Sequence, residues 1–192
     1  MRKPQKIVVL LITLVFFRCT SEKISAAEPQ PDLATQAAEE LYNTGYLLTM
    51  LGQYEQAIQL LEQSLVIKPT AEAYTYLGWT YSHMGNLKRA IEEAKKAIRI
   101  DPDFGNPYND IGVYLIEQGK EDEAIPYLEK ALAAKRYCCY QFPHYNLGRI
   151  YLKKKMYDRA REAFKKSLEV DPTYAPAREA LEILKEVGLE RT

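Results

Sequence analysis

Charge of one sign is missing from this 192-residue chain: 26 basic side chains are matched by 26 acidic ones. A nucleic-acid binder needs a basic excess to neutralise phosphates, so that class is not expected. Metal-ligating and redox-active residues are scarce too, with three cysteines and two histidines in the whole sequence. No Ser-His-Asp order, paired-acid constellation, glycine-rich phosphate loop or ligand cluster occurs. No catalytic residue, metal, cofactor or small-molecule substrate is therefore expected. The one conspicuous apolar run, Ile7 to Phe17, has 11 residues, whereas crossing a bilayer takes about 20. What the chain does have is apolar material for a sizeable core, 47% hydrophobic residues with 15 tyrosines among them.

The first residues differ in kind from the rest. "MRKPQK" is basic, the apolar run follows, and "ISAAEP" places small residues at Ser25 and Ala27. That order is the pattern of a secretory signal over 1–27, with Glu28 as the new N-terminus. Two alternatives stay open. Cys19 stands where a bacterial lipoprotein carries its lipidated cysteine, although Arg18 occupies the place of the usual small residue; or the segment stays as an anchor. All three put the folded part outside the cytoplasm, in a bacterial periplasm or envelope, with membrane contact only through the N-terminal segment. Cleavage after Ala27 leaves 21 basic against 25 acidic residues, mildly acidic.

The remainder repeats itself. Gly45, Gly78, Gly112 and Gly148 recur at intervals of 33, 34 and 36, and Ala57, Ala90, Ala124 and Ala160 recur at the same three. Pro69, Pro102 and Pro172 each follow one of those alanines by 12 residues. Within a copy, apolar residues at helical spacing (Tyr74, Leu77, Gly78, Tyr81) predict a first helix. Gly52, Gly85 and Gly119 mark the turn as left-handed helix ends. A second helix carries Ala90, Ala94 and Ala97 on one face, and the small Gly78 and Ala90 let the pair approach closely. "DP" then ends it, because proline disfavours a helical conformation at the preceding residue.

This pattern resembles the tetratricopeptide repeat, with its Leu-Gly-x-x-Tyr in the first helix, an alanine in the second and a closing proline. The fourth copy matches best, through Leu147, Gly148, Tyr151, Ala160, Phe164 and Pro172; the first departs most, with Thr44 and Leu48 in place of leucine and tyrosine. The resemblance implies an all-α fold, a right-handed α-solenoid of four helix-turn-helix repeats plus a C-terminal capping helix. The expected divisions are a linker and helix start at 28–37, repeats at 38–70, 71–104, 105–140 and 141–173, and a cap with its tail at 174–192. The cap itself is expected from Ala175 to Val187.

The resemblance also implies a function: an interaction scaffold whose concave surface, lined by the first helix of each pair, holds a peptide from a partner protein. Positions off the packing face are Glu39, Tyr42, Asn43 and Tyr46 in the first copy and Tyr76, Trp79 and His83 in the second. Asn109, Asp110, Val113 and Ile116 follow in the third, and Phe142, Tyr145, Asn146, Arg149 and Lys153 in the fourth. Aromatics and arginine are the types that dominate binding hot spots, and the amides of Asn43, Asn109 and Asn146 can pair with a bound main chain. Trp79 and the asparagines have ordinary repeat packing as their competing explanation. Some family members grip a chaperone's C-terminal carboxylate with lysines, asparagines and an arginine. Here Thr75 and Tyr76 stand in the second copy and Asp110 would repel a carboxylate, so that recognition is not expected.

The stretch "KRYCCYQFPHYNLG" looks most like chemistry, with adjacent Cys138 and Cys139 ahead of His144. Redox and zinc motifs space their cysteines by two residues, and a vicinal disulfide needs a strained peptide. The stretch fills a junction two residues longer than the 34-residue spacing, and packing is its expected role. An intermolecular disulfide, metal binding or thiol redox chemistry are the alternatives, and self-association into a homo-oligomer stays open. Tyr54, Tyr74, Tyr81, Tyr108, Tyr151 and Tyr157 occupy core positions, and "KRAIEEAKK" and "REAFKKS" are expected to be solvated outer faces.

Overall fold

The structure, a computed structural model, describes residues 32–186. The signal, lipidation and anchor alternatives, including Cys19, fall outside these residues, as do Val187 and the tail after it.

Described residues form nine α-helices in chain order: α1 (Leu33–Met50), α2 (Tyr54–Ile67), α3 (Ala71–His83), α4 (Leu87–Ile100), α5 (Asn106–Glu117), α6 (Glu121–Ala133), α7 (Gln141–Lys153), α8 (Tyr157–Val170) and α9 (Ala175–Glu186). Each odd helix up to α7 packs along the next helix as a hairpin, and α9 closes on α8. The odd helices also touch each other in the order α1, α3, α5, α7, which makes one continuous face. The fold is an all-α helical solenoid.

Within each hairpin the two helices meet closely where the recurring glycine faces the second helix. A Cβ at Gly78 would sit 2.9 Å from the Ala90 carbonyl oxygen, and one at Gly148 would sit 2.5 Å from the Phe164 ring. Glycine is therefore required for the hairpins to close. Three turns end in glycine at φ 74, 78 and 72° (Gly52, Gly85, Gly119), where an L side chain would be strained. The fourth turn has Lys155 at φ 60° with the same two capping bonds, Lys155 N–H to the Leu152 carbonyl (3.0 Å) and Met156 N–H to the Tyr151 carbonyl (2.9 Å).

The core is alanine and leucine from the second helices against branched residues of the first. Ile111, Leu115, Leu128, Leu147 and Ile150 form one cluster and Phe164, Ala177 and Leu184 another, which caps the C-terminal end. Two serines replace core alanines: Ser64 Oγ donates to the Ala38 carbonyl at 2.8 Å and Ser167 Oγ to the Gln141 carbonyl at 2.9 Å. Each is buried, and each hydroxyl ties a second helix back to the start of its first. The outer-face expectation for "KRAIEEAKK" and "REAFKKS" fails at Glu93 and Ser167. Glu93 is 1% exposed, held by Arg89 Nε at 3.2 Å and Lys96 Nζ at 2.7 Å. A cation on either side offsets the cost of burying its carboxylate.

Candidate functional site

The continuous face of odd helices carries a hollow of about 490 Å³ between α1, α3, α5 and the α6–α7 junction. Helical spacing delivers Tyr46 from α1, Thr75, Tyr76 and Trp79 from α3, and Asn106, Asn109 and Asp110 from α5. Aromatic rings fill its α1–α3 wall. Tyr46 lies 4.9 Å from Tyr76 and 5.5 Å from Trp79, stacked on the latter; Tyr42 leans on Tyr76 at 5.9 Å. Trp79 also meets His83 edge-on at 4.5 Å. Trp79 thus packs between repeats and also lines the hollow. A smaller hollow of about 290 Å³ adjoins through Trp79 and Asp110 and adds Ser82, His83, Val113, Tyr114 and Glu117.

The long junction supplies the remaining wall, which the repeat pattern alone does not predict. Residues after α6 fold back over the α4–α5 turn, where Arg136 N–H donates to the Asp103 carbonyl (2.9 Å) and Gly105 N–H to the Arg136 carbonyl (3.1 Å). The Arg136 guanidinium donates to Glu72 at 2.5 Å and to Asp101 at 2.7 Å, and lies 4.0 Å over the Phe104 ring. One side chain thus joins α3, the end of α4 and the segment beyond α6. Tyr137 is seated directly on Gly105, which has no Cβ to obstruct it. Tyr137 and Cys139 line the hollow as a result. The glycine of "DFGNP" and the two-residue excess were the available signals for this strap.

Cys138 and Cys139 are free thiols with Sγ atoms 2.8 Å apart. Burial and the neighbouring Cys138 push the Cys139 thiol up to about 11. A redox nucleophile needs the opposite shift, so Cys139 is a poor thiolate at neutral pH. Among the described residues no three His, Cys, Asp or Glu side chains are grouped to hold a metal. His144 is partly buried near Leu132, Leu147 and Tyr151, away from the cysteines, and burial lowers its pKa.

Asp110 lines both hollows, half-buried, and desolvation raises its carboxyl to about 7 against a weaker lowering by the Asn109 amide. Among the described residues no ion pair reaches it. Tyr114, 4% exposed, has a hydroxyl with no hydrogen bond of normal geometry; the nearby Ser82 Oγ donates instead to the Trp79 carbonyl at 2.7 Å. Burial pushes the Tyr137 hydroxyl up as well, with Asp110 adding to it.

Other expected groove residues are placed differently. Asn109 and Asn146 are buried, and Asn146 Nδ2 donates to Asn109 Oδ1 at 3.2 Å while Arg149 Nη1 donates to Asn146 Oδ1 at 3.2 Å. Their amides are spent bridging α5 to α7 rather than facing a bound main chain, because neighbouring first helices bring the two positions together. Tyr145 packs on Phe164 (5.6 Å) and Tyr174 (5.4 Å), on the α8–α9 side. Lys153 pairs with Glu121, and Arg149 lies 6.0 Å over the Tyr145 ring. Asn43 is exposed outside the hollow. Tyr46, Tyr76, Trp79, Asn109 and Asp110 are thus gathered at the hollow, and Asn43, Tyr145, Asn146, Arg149 and Lys153 are not.

Stacked helical hairpins with a continuous inner face define the class of helical-repeat proteins that serve as protein-interaction scaffolds. The tetratricopeptide repeat family pattern matches residues 38–71, 71–104, 106–138 and 143–174, and the chain belongs to that family. The chain is 30% identical over 114 residues to the small glutamine-rich tetratricopeptide repeat-containing protein 2 of Saccharomyces cerevisiae, covering 58% of this chain and 33% of that protein. It is 33% identical over 128 residues to the type IV pilus assembly protein PilF of Pseudomonas aeruginosa, covering 66% and 50% respectively. The solved PilF structure superposes with a TM-score of 0.75 at 27% identity, covering 80% of this chain and 70% of that one. The chain thus spans between a third and a half of the length of these two curated relatives.

Proposed function

We propose that this chain is a non-catalytic adaptor that holds a peptide segment of a partner protein in the hollow between α1, α3, α5 and the junction strap, during assembly of an envelope complex. The observation that carries the proposal is the wall of Tyr46, Tyr76 and Trp79, whose rings are ordered against one another while still facing the hollow. Prearranged aromatic surface loses little freedom when a ligand covers it, so its burial contributes directly to affinity. The envelope setting draws on the basic–apolar N-terminal segment and on the similarity to a pilus assembly protein.

A photo-crosslinking residue at position 76, with a second variant at the exposed α4 position 92, tests this in the cells from which the protein comes. Position 76 should yield a discrete adduct with one polypeptide and position 92 should not. Equal capture from both positions, or none from 76, sinks the groove reading. Self-assembly is the second reading, favoured by the exposed Leu47 (58%), Met50 (61%) and Leu51 (72%) at the end of α1 and Val66 (86%) in α2. A mass by light scattering that stays monomeric over a wide concentration range, with and without reductant, removes it.

A further inference from the structure

We propose that the hollow recognises a cationic side chain, a lysine or arginine of the partner peptide, seated between the aromatic wall and Asp110. This inference rests on the groove reading above and names the chemistry that the groove selects.

Three observations lead to it. The first is charge. The two adjoining hollows hold Asp110 and Glu117; neither is lined by a lysine or arginine, and His83, the one basic side chain in the lining, packs its ring on Trp79 and Tyr54. Asp110 has no cation of its own within the described residues. That sets it apart from the buried carboxylate of Glu93, which is held by two. The second is the wall. Tyr46, Tyr76, Trp79 and Tyr137 line the same hollow as the carboxylate, and a cation there can be attracted by the quadrupole of a ring that it covers. The third is the buried Tyr114 hydroxyl in the adjoining hollow, 4% exposed and without a hydrogen bond of normal geometry. An ammonium or guanidinium offers several donors and can serve the carboxylate and this oxygen at once.

The other occupants fit less well. A carboxylate or phosphate would meet Asp110 and Glu117 as like charges. An apolar side chain would cover Asp110 and the Tyr114 hydroxyl while satisfying neither, leaving two desolvated polar groups without a bond to the ligand. Solvent-facing aromatics explain why a peptide binds; the acid beside them, without an ion pair, explains which residue it presents.

The single tryptophan makes the test direct, because Trp79 gives the protein one indole N–H resonance and it lies in the wall. The probes are the peptides acetyl-Gly-Ser-X-Ser-Gly-amide with X as lysine, arginine, norleucine or glutamate, titrated into the full chain. Lysine or arginine should shift the resonance saturably and bind about tenfold tighter than norleucine, with glutamate weaker than both. In Asp110→Asn, lysine should fall to the norleucine level while norleucine is unchanged. Equal binding of lysine and norleucine, or a lysine preference that survives Asp110→Asn, overturns the proposal. So does the absence of any shift with all four peptides. Crosslinking from position 76 judges the groove reading separately, since a partner captured there with no cation preference would leave the groove standing and remove only this inference.

Discussion

Asp110 should make the protein less stable than it needs to be, and the size of the effect can be worked out. Its carboxyl has an ordinary value of 3.8 and is held at about 7 by burial. Folding therefore favours the protonated acid. The stability associated with that proton is fully present below pH 3.8 and is lost as pH rises through 7. A shift of about three pH units corresponds to about 4 kcal/mol at about 1.36 kcal/mol each. Asp110 faces an open hollow rather than a sealed core, and water there relaxes the penalty to about 2 kcal/mol. Asp110→Asn keeps the shape and the Asn109 contact while removing the charge. Its stability gain over the parent should be near zero at pH 3.5 and rise to about 2 kcal/mol at pH 8. In thermal melts that is about 4–8 °C for a domain of this size. Urea unfolding followed by helical circular dichroism at both pH values measures the difference of differences, so other titrating groups cancel. A gain that is equal at the two pH values, or a loss at pH 8, refutes the reasoning. A gain would also mean that the carboxylate is kept at a cost to the fold, as a residue retained for binding would be.

Four further outcomes follow from the geometry. Lys155→Gly should stabilise by about 0.5–1 kcal/mol, because the other three turns hold glycine at the same left-handed angle; the urea midpoint reads it. Gly148→Ala should destabilise by about 2–3 kcal/mol, since its Cβ would meet the fully buried Phe164 ring at 2.5 Å. Adding Phe164→Leu should cost less than the two single changes summed, and strict additivity would argue against a direct clash. Arg136→Ala should speed amide hydrogen exchange over residues 135–140 while lowering global stability by only about 1 kcal/mol, because its ion pairs are partly solvated. In native protein at pH 8, iodoacetamide should modify Cys139 on the order of 100-fold more slowly than a thiol of ordinary acidity, its pKa being pushed up to about 11; urea should abolish the difference, and fast labelling in the native state would show that the thiol is not held back by burial.

Much of the fold was legible in the chain because each repeat depends on short-range rules. Recurring glycine and alanine mark where two helices must touch, and three of the four turns are announced by the residue that tolerates a positive φ. The fourth turn shows the limit, since Lys155 adopts the same angle without the signal, held there by the capping bonds that close the hairpin. Glu93 shows another: in sequence it is one acid in a charged run, and only packing reveals it as buried and clamped.

The candidate site divides along the same line. Periodicity alone put Tyr46, Tyr76, Trp79 and Asp110 on one face, since side-chain direction in a helix follows from position. The uses of those side chains depended on distances between repeats, which no local pattern encodes. Asn109 and Asn146, 37 residues apart, found each other, so Asn146 lies outside the hollow and the Asn109 Oδ1 at its edge is already engaged. Tyr137, in a stretch with no repeat register, entered it because Arg136 anchors the strap to Glu72 and Asp101 and Gly105 leaves room for the ring. The sequence by itself determined the helices, their pairing and the face that would be free. The tertiary structure decided which polar groups on that face are already satisfied and which, like Asp110, have no ion-pair partner among the described residues.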